Sequence, residues 1–217
     1  MQSGQSMPQP SIRFDVVRPD RYDPAHLVVR IILMMLLAVV GAPVGWVFFV
    51  LYLALPALAA IVINSRGASY YQQQIAPHIV KGLRWLLELY AYLGLLTDRL
   101  PLDESQPAVR YEIDAAGAPT AKSALVHLLT SIPVAILLWA LGLVSAVLWL
   151  IAAVFVLLER SYPSSVFDFQ RGILRVFARF LAHHASLVEG APPLRFDTGP
   201  EPAPGGTADP MPPSAVV

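Results

Sequence analysis

Two stretches of this chain contain no Lys, Arg, Asp or Glu: residues 31–65, a run of 35, and residues 123–158, a run of 36. A bilayer's hydrocarbon core is about 30 Å thick and is crossed by about 20 helical residues. Each run is therefore long enough to enter a membrane. A single straight helix of that length would reach roughly 52 Å, too long for one pass without extreme tilt. Each run predicts two short helices joined by a tight turn. Gly41-Ala42-Pro43-Val44-Gly45 breaks the first run, because Pro lacks a backbone N–H and Gly favours non-helical conformations. In the second run Gly142 lies near the middle as a weaker breaker, with Pro133 expected only to kink its arm. Arms of about 16–18 residues are short for a full crossing, so each hairpin is read as transmembrane or re-entrant.

Composition agrees. Of the 217 residues 56% are hydrophobic and 14% charged, whereas a soluble domain carries about 25% charged residues. Two buried helical pairs of a soluble protein would leave too little polar chain to cover them. The net charge is zero, which argues against a nucleic-acid partner. Without cysteine there is no disulfide, Cys-ligated zinc, iron–sulfur site or thiol catalysis.

All fifteen Lys and Arg residues lie outside the two runs: four before the first, six between them and five after the second. Single crossings would scatter these cations on both sides, whereas two hairpins leave all of them on one face. The positive-inside rule then predicts both termini and the central segment on the cytoplasmic side of a cell (inner) membrane. The first 26 residues are polar and lack the apolar core of a cleavable signal peptide.

An internal repeat organises the rest. Ile12-Arg13-Phe14-Asp15-Val16 recurs as Val109-Arg110-Tyr111-Glu112-Ile113 and as Leu194-Arg195-Phe196-Asp197, each alternating like a short strand with one buried face. Between copies the same order returns: hydrophobic hairpin, polar link with tyrosine (Tyr70-Tyr71, then Tyr162-Pro163), amphipathic helix, proline turn. Arg30 and His127 stand at equivalent places where each hairpin begins, where a basic side chain can snorkel to headgroups. The predicted layout is a tail over 1–10, a first unit over 11–107 (hairpin 27–64, amphipathic helix 75–97), a second unit over 108–197 (hairpin 123–159, amphipathic helix 166–188) and a Pro/Gly-rich tail over 198–217. Both tails have compositions that do not support a packed core.

The first amphipathic helix sets Ile75, Ile79, Leu83, Leu86, Leu87, Tyr90 and Leu93 against His78, Lys81, Arg84, Glu88 and Tyr92, with Trp85 at the margin. The second sets Phe169, Ile173, Leu174, Phe177, Phe180 and Leu181 against Asp168, Arg171, Arg175, Arg179 and His183. Helices of this kind suit a membrane interface. Arg30, Lys81, Arg84, Trp85, Arg171, Arg175 and Arg179 are thus the candidates for contact with anionic headgroups.

Chemistry is sparse. Neither run holds one of the four charged residue types, which argues against a proton relay or ion-coupled carrier. Ser and Thr in such helices usually bond to backbone. Motifs for phosphate cradling, a serine nucleophile elbow or a zinc protease do not occur. His183 and His184 point about 100° apart on a helix and suit an interface better than a metal pair. Asp98, Asp103 and Glu104, flanked by Pro101 and Pro107, read as a solvated turn. No catalytic residue, cofactor or metal is expected.

Arg84-Trp85, Ala91-Tyr92, Leu95-Leu96-Thr97-Asp98 and Pro101 resemble the signature of a bacterial integral membrane protein family catalogued only as a domain of unknown function. The second unit resembles it at Tyr162-Pro163, Phe167-Asp168-Phe169, Gly172, Arg175, Arg179 and Pro192-Pro193, departing at Val188-Glu189 where Thr-Asp would stand. The first unit departs at Leu100 and Leu102. The resemblance covers residues 11–197 and implies an integral membrane protein without supplying an activity.

The expectation is an all-α membrane protein of two tandem units, each a hairpin followed by an interfacial helix, with short cytoplasmic strands. Its expected task is that of a non-enzymatic scaffold or accessory subunit, touching lipid and a protein partner or a second copy. A membrane-shaping hairpin protein is the alternative, and a transporter ranks last.

Overall fold

The computed structural model describes residues 12–39, 44–102, 107–113, 118–189 and 196–199. The elements in chain order are β1 (Ile12–Val16), α1 (Pro24–Val39), α2 (Val44–Arg66), the short α3 (Ala68–Tyr70), a π-helical turn (Tyr71–Ile75), α4 (Ala76–Leu93), β2 (Val109–Ile113), α5 (Ala121–Thr130), α6 (Ile132–Glu159) and α7 (Ser164–His184).

The first two copies of the repeated motif pair with each other. β1 and β2 are antiparallel in the register Arg13 opposite Glu112, Phe14 opposite Tyr111 and Asp15 opposite Arg110. A basic-aromatic-acidic triplet is self-complementary in that arrangement, since reversing one copy sets base against acid and ring against ring. Phe14, Val16, Val109 and Tyr111 form the buried face. The third copy begins outside the described residues, and its Phe196 and Asp197 fall in a coil segment over 196–198.

The first run is two helices, α1 and α2, as its Gly-Pro break predicts; the connecting residues 40–43 lie outside the described residues. The second run departs from expectation. α6 continues straight through Gly142, and the break falls at Ser131, just before Pro133 in the first turn of α6. A lone glycine among Leu, Val and Ala costs a helix only about 1 kcal/mol. Proline at a helix start costs almost nothing, because its missing N–H needs no partner there. Ser131 keeps a helical conformation, its N–H bonded to the His127 carbonyl and its own carbonyl accepting from Ala135. The second run is thus a 10-residue helix followed at Ser131 by a 28-residue one, and not two equal arms. Thr120 and Ser123 start α5 by reciprocal capping, each side-chain oxygen accepting from the other's backbone N–H.

α7 is the hub. It packs on β1, α4, α5 and α6. It also runs back along α6, so that Ser145 meets Gln170 and Ser131 meets His184. The long apolar helices are mostly left open by the rest of the protein. α2 and α6 are long and apolar enough to cross a membrane, yet only 22% and 11% of their apolar windows are buried by protein. Ile136, Trp139, Leu143, Val147, Leu150, Val154 and Leu158 face outward along α6, and Ile32, Met35 and Val39 do so on α1.

Candidate functional site: matched docks at two helix ends

Both amphipathic helices end in the same way. In α4 the chain passes through Gly94 to Leu95 at φ 64°, and Leu96 N–H closes onto the Ala91 carbonyl at 2.9 Å. In α7 it passes through Ala185 to Ser186 at φ 56°, and Leu187 N–H closes onto the Ala182 carbonyl at 3.0 Å. This left-handed residue with a six-to-one closure satisfies helix-end carbonyls. It occurs here without glycine at the left-handed position, an outlier for leucine that the surrounding packing must hold.

Each loop is held by the basic residue that begins the preceding hydrophobic run. Arg30, on α1, donates to the Tyr92 carbonyl (2.6 Å), the Thr97 carbonyl (2.6 Å) and Asp98 Oδ1 (2.7 Å), with its guanidinium 4.5 Å above the Tyr92 ring. Asp98 also accepts from Asp23 N–H. His127, on α5, bonds Ser186 through Nδ1 (3.1 Å), and its ring lies tilted 4.0 Å from the His183 ring. Arg30 is fully buried and His127 nearly so. Arg30 is thus enclosed by protein groups, and Asp98 is its ion-pair partner and not a free solvated turn. The loop that closes α4 brings carbonyls and a carboxylate to the cation. Asp103 and Glu104 lie outside the described residues.

The second dock extends to α2. His184 accepts from Ser131 Oγ at Nδ1 (2.9 Å) and donates from Nε2 to the Tyr52 carbonyl (2.5 Å), an assignment forced by the carbonyl's inability to donate. Tyr52 Oη donates to the Leu128 carbonyl, near the end of α5, and Tyr71 Oη donates to the Ala185 carbonyl. The adjacent histidines are thus buried in a polar knot at the helix bend. Adjacency in sequence hides this role, since it takes α2 and α5 to supply the partners. Among the described residues, no three His, Asp or Glu side chains gather as they would to hold a metal.

The arginine stripe of α7 also turns inward. Arg175 is fully buried and donates to the carbonyls of Phe14 (3.2 Å), Asp197 (2.9 Å) and Gly199 (2.8 Å), with Asp197 and Asp15 carboxylates at 3.6 and 3.9 Å. Arg171 pairs with Asp168 (2.9 Å) and bonds the Thr198 carbonyl (2.6 Å). Tyr111 Oη donates to the Ala178 carbonyl, and burial pushes its hydroxyl above the usual range, so it stays a neutral donor. Arg171 and Arg175 are enclosed because β1 and the 196–199 strap supply an unusual number of carbonyls to them. Helical periodicity alone cannot reveal partners so far away in sequence. Arg179 is half-buried, Arg84 half-exposed, and Lys81 and Trp85 exposed on the outer flank of α4.

Gly172 lets the strap lie down. A Cβ there would meet the Phe196 ring and the Thr198 methyl at 3.2 Å and the Asp197 carbonyl at 3.3 Å. Gly172→Ala is expected to lift residues 196–199 from α7 and to cost about 1–3 kcal/mol through overpacking and weakened Arg175 contacts. Faster limited proteolysis in the strap, with helicity unchanged by circular dichroism, is the expected readout.

Residues 121–195, which take in α5, α6 and α7, match a family model described as a domain of unknown function (DUF4389). No curated protein matches the chain, and no solved structure does. That stretch of the chain is therefore similar to an uncharacterised family.

Proposed function

We propose that the chain is a non-enzymatic integral membrane scaffold or accessory subunit of a bacterial inner membrane, built from two tandem units with both termini in the cytoplasm. One observation carries the reading: in the two helices long and apolar enough to cross a bilayer, protein buries only 22% and 11% of the apolar windows. Water would meet a belt of Ile, Leu, Val and Trp there, far beyond what a soluble monomer exposes. The matched loops after α4 and α7, each held by the basic residue of its own hairpin, support the tandem reading. Pairing of β1 with β2, and docking of α7 on both α4 and β1, support a single polar body on one side of the membrane.

In this arrangement α1 and α2 go out and back. The second run lies along α7, where Ser145 meets Gln170 and Ser131 meets His184. α6 then returns to Arg160, whose carbonyl accepts from Tyr22 N–H just before α1.

The exposed flank of α4, with Lys81, Arg84 and Trp85, then faces anionic headgroups or a docked protein. Epitope-tagged chain extracted from native membranes in mild detergent is expected to bring down a stoichiometric partner or a second copy. Lys81→Glu combined with Trp85→Ala is expected to release it without removing the chain from the membrane. Elution as a lone monomer, after chemical crosslinking in the native membrane as well as without it, contradicts the scaffold reading.

A further inference from the structure

Between α1, α4, α6 and α7 lies a cleft of about 420 Å³, within the range of small-ligand sites. Leu96, Leu174 and Phe177 form its buried floor, and Met34, Trp139 and Gly142 stand at its sides, the last two exposed on the outward apolar face of α6. We propose that this cleft holds one acyl chain of a bilayer phospholipid, an inference that rests on the membrane reading above.

Three observations select that occupant. Two of the cleft's polar side chains are engaged with each other. Ser145 Oγ and Gln170 Oε1 are 2.5 Å apart, and Gln170 Nε2 donates to the Ser145 carbonyl at 3.0 Å. The Tyr90 hydroxyl and the Trp139 indole N–H are the other polar side-chain groups of the lining, and the rest of the wall is apolar. Second, the mouth is continuous with the outward row Ile136, Trp139 and Leu143, so the local solvent at the opening is hydrocarbon. Third, the wall offers no charge to a headgroup, so the group that fits is the tail.

The test uses the full chain in phosphatidylcholine vesicles containing a phospholipid with a diazirine at the end of one acyl chain. Photolysis is expected to label Leu174 or Phe177, on the buried floor, as well as Leu150 and Leu157 on the outer face of α6. Nothing lies within 4 Å of a Cβ built on Gly142, so Gly142→Phe can fill the cleft without striking backbone. It should abolish floor labelling while leaving outer-face labelling intact, and Gly142→Ala should keep both. Leu138→Trp narrows the cleft from a second position and should act like Gly142→Phe. Outer-face labelling with an unlabelled floor, or floor labelling that both filled variants leave unchanged, overturns the acyl-chain assignment while the membrane reading stands. Absence of label on either face overturns the membrane reading itself.

Discussion

Replacing Arg175 with methionine is expected to unfold much of the protein, lowering stability by about 3–5 kcal/mol, the usual result of deleting one partner from a buried ionic cluster. The size follows from what is left behind. Asp197 loses its cation, Asp15 keeps only Arg171 at 3.9 Å, and the carbonyl of buried Phe14 loses a donor, along with those of Asp197 and Gly199 in the strap. Arg175→Lys should recover little, because one ammonium cannot reproduce a planar fork that serves β1 and the strap together. Thermal melting of purified protein in detergent checks this. A melting temperature for Arg175→Met within a degree or two of the parent would mean that the cluster is ornamental.

The second large effect is expected at Arg30. Its guanidinium ties α1 to the loop that ends α4 through two carbonyls, one carboxylate and one ring. Arg30→Met should again cost about 3–5 kcal/mol. It should also free the left-handed turn at Leu95, whose conformation only packing and these bonds enforce. Asp98→Asn should cost less, because Asp98 is partly open to solvent and the two carbonyls still hold the arginine. A double-mutant cycle between the two sites should give a positive coupling energy. Additive effects would place the stabilisation in the carbonyl contacts alone.

These expectations run against the outward role that the sequence suggests for Arg30, Arg171 and Arg175, and the contrast has a physical basis. The charge-free runs were legible because burying an ion is so costly that missing charge over 35 residues admits few environments. The β1–β2 pairing was legible in the repeated Arg-aromatic-acid triplet, which is complementary to its own reverse. The break between α1 and α2 was legible in Gly41 and Pro43. What periodicity cannot carry is the identity of a distant partner. A stripe of arginines four residues apart looks the same whether it meets lipid phosphate or the carbonyls of a strand 161 positions earlier, as Arg175 meets Phe14. The bend of the second run was misplaced for a related reason. Glycine weakens a helix only locally, and neighbours such as Leu141 and Leu143 outweigh it, whereas Pro133 acts through the N–H it lacks and marks a beginning. His183 and His184 were readable as residues but not as a knot, because Tyr52 and Ser131 come from other helices.

In the proposed arrangement the outward apolar faces of α1, α2 and α6 meet lipid while the sheet and its flanking loops meet the cytoplasm. The absence of native cysteine makes single-cysteine labelling with a membrane-impermeant maleimide direct. In sealed inverted vesicles, Asp20→Cys and Glu112→Cys should both label rapidly, whereas Leu150→Cys and Leu157→Cys should label only after detergent is added. Labelling of Leu150→Cys and Leu157→Cys in intact vesicles as fast as Asp20→Cys, or of Asp20→Cys and Glu112→Cys from opposite sides, would contradict it.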